Sequence, residues 1–261
     1  ALLQHWGPAG PLHQDDWFAE LRRILAGSGL GADLQLLSAV VLPALLLFWL
    51  QSLIQGWLFG LVGLAMLVVV LLYSFGRKEF EGLVNRYRES IAQGDFEAAY
   101  LFAREELLAS PDEECPSSPE QLHRWVKQRI CYLGYERWFA VIFYFAVLGA
   151  PLALAYRLLH LYSEHCEEEQ RQKVQKVLYF VDWVPARFLV FAFALTGDWV
   201  GSREQVMASV QDTETEAGGV IADAAHAALG LKATVFSSDN GDTTAFAEIS
   251  AWEIGELQSL L

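Results

Sequence analysis

Basic residues are scarce in this chain. Eighteen Lys and Arg stand against 32 Asp and Glu, a formal net charge of −14. Binding to nucleic acid rests on Lys and Arg that neutralise phosphates, so a chain this acidic excludes that class of partner. Cysteine is nearly absent too. Cys115, Cys131 and Cys166, at spacings of 16 and 35, make no zinc motif and leave an odd thiol. That suits a reducing compartment for most of the polar mass. His160, His165 and Cys166 do not share one helix face, and the acids around them read as solvated, so no metal site is expected. There is no Walker loop, no GxSxG and no GxGxxG behind a strand, so no catalytic motif stands out and no cofactor is implied.

Charge of either sign is missing altogether from Leu34 to Tyr73. A run of ~20 apolar residues spans a bilayer, so this block is long enough for two spans. With 54% hydrophobic residues and a positive mean hydropathy, the class is integral membrane protein. The expected fold is all-α and polytopic, with a cytoplasmic helical portion.

Five segments follow. Residues 1–33 hold DDWFAELRRILAG, whose Trp17, Leu21 and Leu25 fall on one face of an amphipathic helix near the membrane surface. The block 34–76 divides at LQSLIQG into spans at about 35–51 and 56–75, followed by Arg77 and Lys78. Residues 77–137 form a polar helical insertion, with helix starts at Gly94-Asp95 and at Ser118-Pro119. Residues 138–199 hold a third span from Trp138, punctuated by Gly149 and Pro151, and a fourth at about 177–197, joined by a short loop. Residues 200–261 read as an acidic helical region with a Gly/Ser/Asp loop at 237–242; its AGGVIADAAHAALG, rich in small residues, would let helices pack closely. Nine Lys or Arg fall in 77–137 and three in 159–181, so the positive-inside rule places the insertion in the cytoplasm and the short loop outside.

The fourth span carries VDWVPARFLVFAF, in which Asp182, Pro185 and Arg187 break an otherwise membrane-grade run. A lone Asp or Arg at a span centre costs roughly 2.5–3.5 kcal/mol on insertion scales, so such residues need partners. Pro185 bends the helix between the two charges, or starts it anew with Asp182 as the cap. Arg157, at the end of the third span, is the expected partner of Asp182. Structurally, the group fastens two spans, with Arg187 snorkelling or bonding carbonyls. Functionally, Arg157, Asp182 and Arg187, with Glu136 and Trp183, line a polar pocket for an anionic or amide-bearing ligand, and Arg187 offers the planar fork.

These residues also carry a resemblance. VLYFVDWVPARFLVFAFAL, with FAVIFYFAVLGAPLALAYR upstream, resembles the AmpE family, membrane proteins encoded beside the AmpD amidase in Gram-negative bacteria. The resemblance covers most of the chain and is strongest over 136–199. Members usually carry a further hydrophobic segment at each end, so both are expected to be missing from this chain. More distantly, GAPLALAYR and VPAR are similar to elements of the CobD/CbiB cobalamin-synthesis family, which joins aminopropanol or its phosphate to a corrinoid carboxyl group. The acidic, Asn-rich motifs of that family are missing here: LGYERWFAVIFY offers only Glu136, and LHLYSEH lacks the Asn-Thr-Leu-Asp pattern. The resemblance implies a non-catalytic signalling protein of the bacterial inner membrane, linked to β-lactamase induction and cell-wall recycling. Its implied partners are the lipid bilayer and a cytoplasmic protein or cell-wall-derived ligand. An ATP-dependent amide ligase of the CobD/CbiB type is the alternative, and a solute transporter is disfavoured by the lack of an internal repeat.

Overall fold

In the computed structural model, residues 15–54, 60–75, 80–108, 115–166, 168–196, 199–213, 215–229 and 243–260 are described. Among them there are helices and turns and no strand. The expected Gly/Ser/Asp loop at 237–242 lies outside the described residues. The chain divides into two units, 1–78 with 137–181 and 79–136 with 182–261.

The first unit is built around α8, Ala150–His165. Packed on α8 are α2 (Ala32–Ile54), α3 (Leu61–Ser74) and α7 (Ala140–Leu148), while α1 (Asp16–Gly27) lies against α2. Ala39, Leu47, Ala150, Leu154, Leu158 and Leu161 form the core. The outer face of α2 is as apolar as the inner one: Leu37, Leu46 and Phe48 are 57%, 63% and 63% exposed. Such a surface belongs in hydrocarbon. Among the described residues three helices are long and apolar enough to cross a membrane, Ala32–Ile54, Pro119–Leu148 and Gln170–Thr196, and α3 is a shorter apolar helix.

The expected third span is not one helix. Gly149 takes φ +83°, a left-handed conformation that ends α7, and Pro151 sits in the first turn of α8. The chain folds back there, because the rings of Tyr144 and Tyr156 meet with centroids 5.2 Å apart. A continuous helix would separate those residues by about 18 Å. The nine residues of α7 therefore lead into a hairpin. As a consequence α8 ends beside the N-terminal segment. Arg22 Nη2 donates to the His165 carbonyl at 2.6 Å, and Lys173 Nζ pairs with Asp33 at 2.8 Å. Contacts of this length put the end of α8, the start of α9 and the N-terminal helices at one end of the first unit.

The second unit holds α4 (Phe80–Ala92), α5 (Phe96–Glu106), α6 (Pro119–Gly134), the second half of α9 (Glu168–Thr196), α10 (Trp199–Gln211), α11 (Ala217–Ala228) and α12 (Thr243–Leu260). Asp95 caps α5 by accepting from the Ala98 amide at 2.9 Å, and Ser118 caps α6 with Pro119 at its first position. Val84, Tyr87, Ile91, Leu122, Val126 and Ile254 make its core, where α4 packs on α12 and α6 on α11. At Gly218 of α11 an added Cβ would stand 3.1 Å from the Gln128 carbonyl and 3.2 Å from the Tyr132 Cβ, so the small residues there do allow close approach.

Two further observations concern the long helices. α6 leads through a π-helical turn, Tyr135–Phe139, into α7. α9 runs unbroken through Pro185, so Asp182 is not a cap and the helix does not start anew.

Candidate functional site

Pro185 has no amide hydrogen, and inside α9 it leaves the carbonyl four residues back, that of Val181, without its helical donor. In the first unit the Tyr144 hydroxyl donates to that carbonyl. In the second unit the Tyr135 hydroxyl donates to the neighbouring carbonyl of Asp182 at 3.1 Å. The proline is tolerated because a side-chain hydroxyl supplies the donor that its ring removes.

Asp182 is 3% exposed, and its carboxylate accepts from the Tyr132 hydroxyl at 2.8 Å and the Tyr135 hydroxyl at 3.1 Å. Hydroxyls at positions three apart on a helix reach one acceptor. Tyr135 opens the π-helical turn, and the half-buried Glu136 follows it. A buried carboxylate held by donors is far less costly than a bare one.

Arg187, one turn further along α9, is 8% exposed. Its Nε donates to the Ser209 carbonyl at 3.0 Å and its Nη2 to the Asp212 carbonyl at 2.7 Å. Those acceptors belong to the end of α10, where carbonyls lack helical partners and the helix dipole favours a cation. The guanidinium also lies over the Trp183 ring, 4.6 Å from its centroid. Of the two structural options for Arg187, carbonyl bonding is the one observed. Asp212 then turns the chain towards α11 by accepting from the Thr215 amide at 2.9 Å. Hydrogen bonds and close packing thus form a closed circuit. It runs from Arg187 through the end of α10 to α11, across Gly218 to Tyr132, and back to Asp182.

Arg157 belongs to the first unit, buried in α8 at 7% exposure. The His160 ring lies against that of Tyr156, centroids 4.6 Å apart and the planes tilted by 56°. His165 is bonded to the Leu161 carbonyl and the Cys166 thiol to that of Ser163. No group of three or more His, Cys, Asp or Glu among the described residues could hold a metal ion.

Sequence reasoning misses the three tyrosines and a second polar group, centred on Glu253 of α12. Glu253 Oε2 accepts from Lys127 Nζ at 2.8 Å and from His123 Nε2 at 3.1 Å, and His226 Nε2 stands 3.9 Å from Oε1. Tyr87 Oη lies 3.3 Å from His123 Nδ1. A neutral imidazole with its proton on Nε2 satisfies Tyr87 and Glu253 together. Burial pushes the Glu253 carboxyl up, but the hydrogen bonds from His123 and Lys127, with His226 close by, outweigh it and hold the group well below the usual carboxylate range. Helical spacing of Tyr132 and Tyr135, and of His123 and Lys127, is visible in the sequence. Their acidic partners lie 50 and about 130 residues away, beyond any local pattern.

Fold and site together define an all-helical membrane protein whose buried charges fasten helices to one another. The chain belongs to the family of the regulatory signalling modulator protein AmpE, whose model matches residues 13–239. The match covers Asp182, Pro185, Arg187 and the π-helical turn, and ends before α12. None of the curated proteins and none of the solved structures compared with the chain matches it.

Proposed function

We propose that this protein is a non-catalytic, multi-pass regulator of the bacterial inner membrane, acting in β-lactamase induction and cell-wall recycling signals. The observation that carries the reading is the family match over residues 13–239. The site supports it. Asp182 and Arg187 meet tyrosine hydroxyls and main-chain carbonyls of the protein itself, bonds that hold helices in register. In this reading α9 carries the signal, with Glu136 and Trp183 beside the charges, and Arg157 is a buried charge of α8 in the first unit. The signal is a cell-wall-derived ligand or a cytoplasmic protein.

The test is induction of β-lactamase by a β-lactam in a host deleted for its own copy and complemented with this chain. Wild type should restore the normal induction ratio, and Arg187→Ala, expressed at equal level, should not. Equal induction with and without the chain would overturn the reading. So would specific thermal stabilisation of the purified protein by ATP and Mg²⁺, which mass action predicts for a ligase.

A further inference from the structure

We propose that the first unit holds a binding site for the phosphate of a phospholipid headgroup, in the cleft where α1, α2, α8 and α9 meet. The cleft encloses about 340 Å³ and is lined by Arg22, Arg23, Gln35, Tyr162, His165 and Gln170 among others, with no carboxylate among the described residues of its wall. Its volume falls at the lower end of the range for sites of small ligands.

Its depth in the membrane follows from two helices. Gln35 lies in the first turn of the candidate span Ala32–Ile54, and Gln170 is the first residue of the candidate span Gln170–Thr196. The Lys173–Asp33 pair ties those two starts together at 2.8 Å. A cleft at the point where two spans leave the hydrocarbon lies at the level of the headgroups. Deeper along the span α2 leaves Leu37, Leu42 and Leu45 57%, 53% and 57% exposed, a surface for acyl chains. Above it α1 exposes Trp17 and Ile24 at 42% and 62%, as an interfacial helix does. Between these two levels the abundant anion is phosphodiester.

The donors are arranged for it. Arg22 commits one nitrogen to the His165 carbonyl and lies 5.5 Å from the Tyr162 ring, which fixes the plane of its fork and leaves other N–H groups to donate. Arg23 shares its Nη1 with the exposed Glu20 at 2.8 Å. Gln170 accepts from the Tyr162 hydroxyl at 2.7 Å through its oxygen, and its amide nitrogen remains a donor. The chain as a whole is acidic, with a formal net charge of −14. Recognition therefore rests on directed donors rather than on a diffuse positive field. The inference is independent of the signalling reading.

The experiment titrates the full chain in detergent with palmitoyl-oleoyl-phosphatidylglycerol and counts retained lipid by native mass spectrometry. Palmitoyl-oleoyl-glycerol, which lacks the phosphate, and inorganic phosphate are run beside it. Wild type should retain one phospholipid. Arg23→Gln, at a largely exposed side chain, should lower affinity roughly tenfold, the cost of one charge-assisted bond. Arg22→Gln with Arg23→Gln should abolish retention while the helical circular-dichroism signal is kept. Equal retention by wild type and Arg23→Gln overturns the site. Equal binding of the phosphate-free lipid overturns phosphate recognition, and competition by inorganic phosphate at equal concentration replaces the lipid with a soluble anion.

Discussion

The Tyr144 hydroxyl donates to the carbonyl of Val181, the acceptor that Pro185 deprives of its helical amide. A proline and a tyrosine 41 positions apart in the chain therefore act as one hydrogen-bonding device.

The device predicts a cycle. Tyr144→Phe should destabilise the protein by about 1 kcal/mol, the net worth of one bond to a buried carbonyl. In a Pro185→Ala background residue 185 regains an amide, and Tyr144→Phe should cost close to nothing. Denaturant unfolding of the four proteins in one detergent gives the coupling. Equal costs of Tyr144→Phe in both backgrounds would show that the hydroxyl is not replacing the missing amide.

Arg187 reaches two carbonyls at once, as a fork does and an ammonium on a flexible stem does not. Arg187→Lys should lose about 1.5–3 kcal/mol of stability despite keeping the charge. Proteolysis should then start in the connection after α10. A lysine variant as stable and as resistant as wild type would mean that charge alone suffices.

Gly218→Ala puts a methyl group against the Gln128 carbonyl and the Tyr132 Cβ, 3.1 and 3.2 Å away. Backbone cannot yield as a side-chain tip can, so overpacking by about 1–3 kcal/mol is expected. The cost should couple to Tyr132→Phe, since the same contact positions the hydroxyl on Asp182. Simple additivity in a double-mutant cycle would separate the two.

The depressed Glu253 carboxyl sets a direction for pH. A group that ionises more readily folded than unfolded adds stability above its unfolded pKa, about 4.3 for Glu, and loses it as pH falls towards the folded value. Wild type should thus exceed Glu253→Gln in stability at neutral pH, and the gap should close as the solution is acidified below about pH 4.3. A gap that is constant with pH would mean that the carboxylate is not the source of the difference.

Much of the fold is legible in the sequence. The uncharged block from Leu34 to Tyr73 announces the membrane, Asp95 and Ser118 mark helix starts, and the two charges flanking Pro185 mark the place where α9 needs partners. What stays hidden has a common cause. Hydropathy counts apolar residues but cannot tell whether a chain crosses or returns, so the reversal at Gly149 reads as mere punctuation inside one span. Of the tyrosines that serve α9, Tyr144 sits in an apolar run and Tyr132 and Tyr135 in a mixed one, and a hydroxyl declares its use only when its acceptor is in place. Glu253 looks like one more solvated acid until α12 packs on α4 and brings it to His123 and Lys127.

The grip of Arg187 on the end of α10 has a mechanical consequence. Its two acceptors sit at fixed places on a helix terminus, so a small axial slide of α9 weakens both bonds without creating a substitute, and only a move of a full turn offers a new set of contacts. At Arg187, then, α9 is held as by a latch.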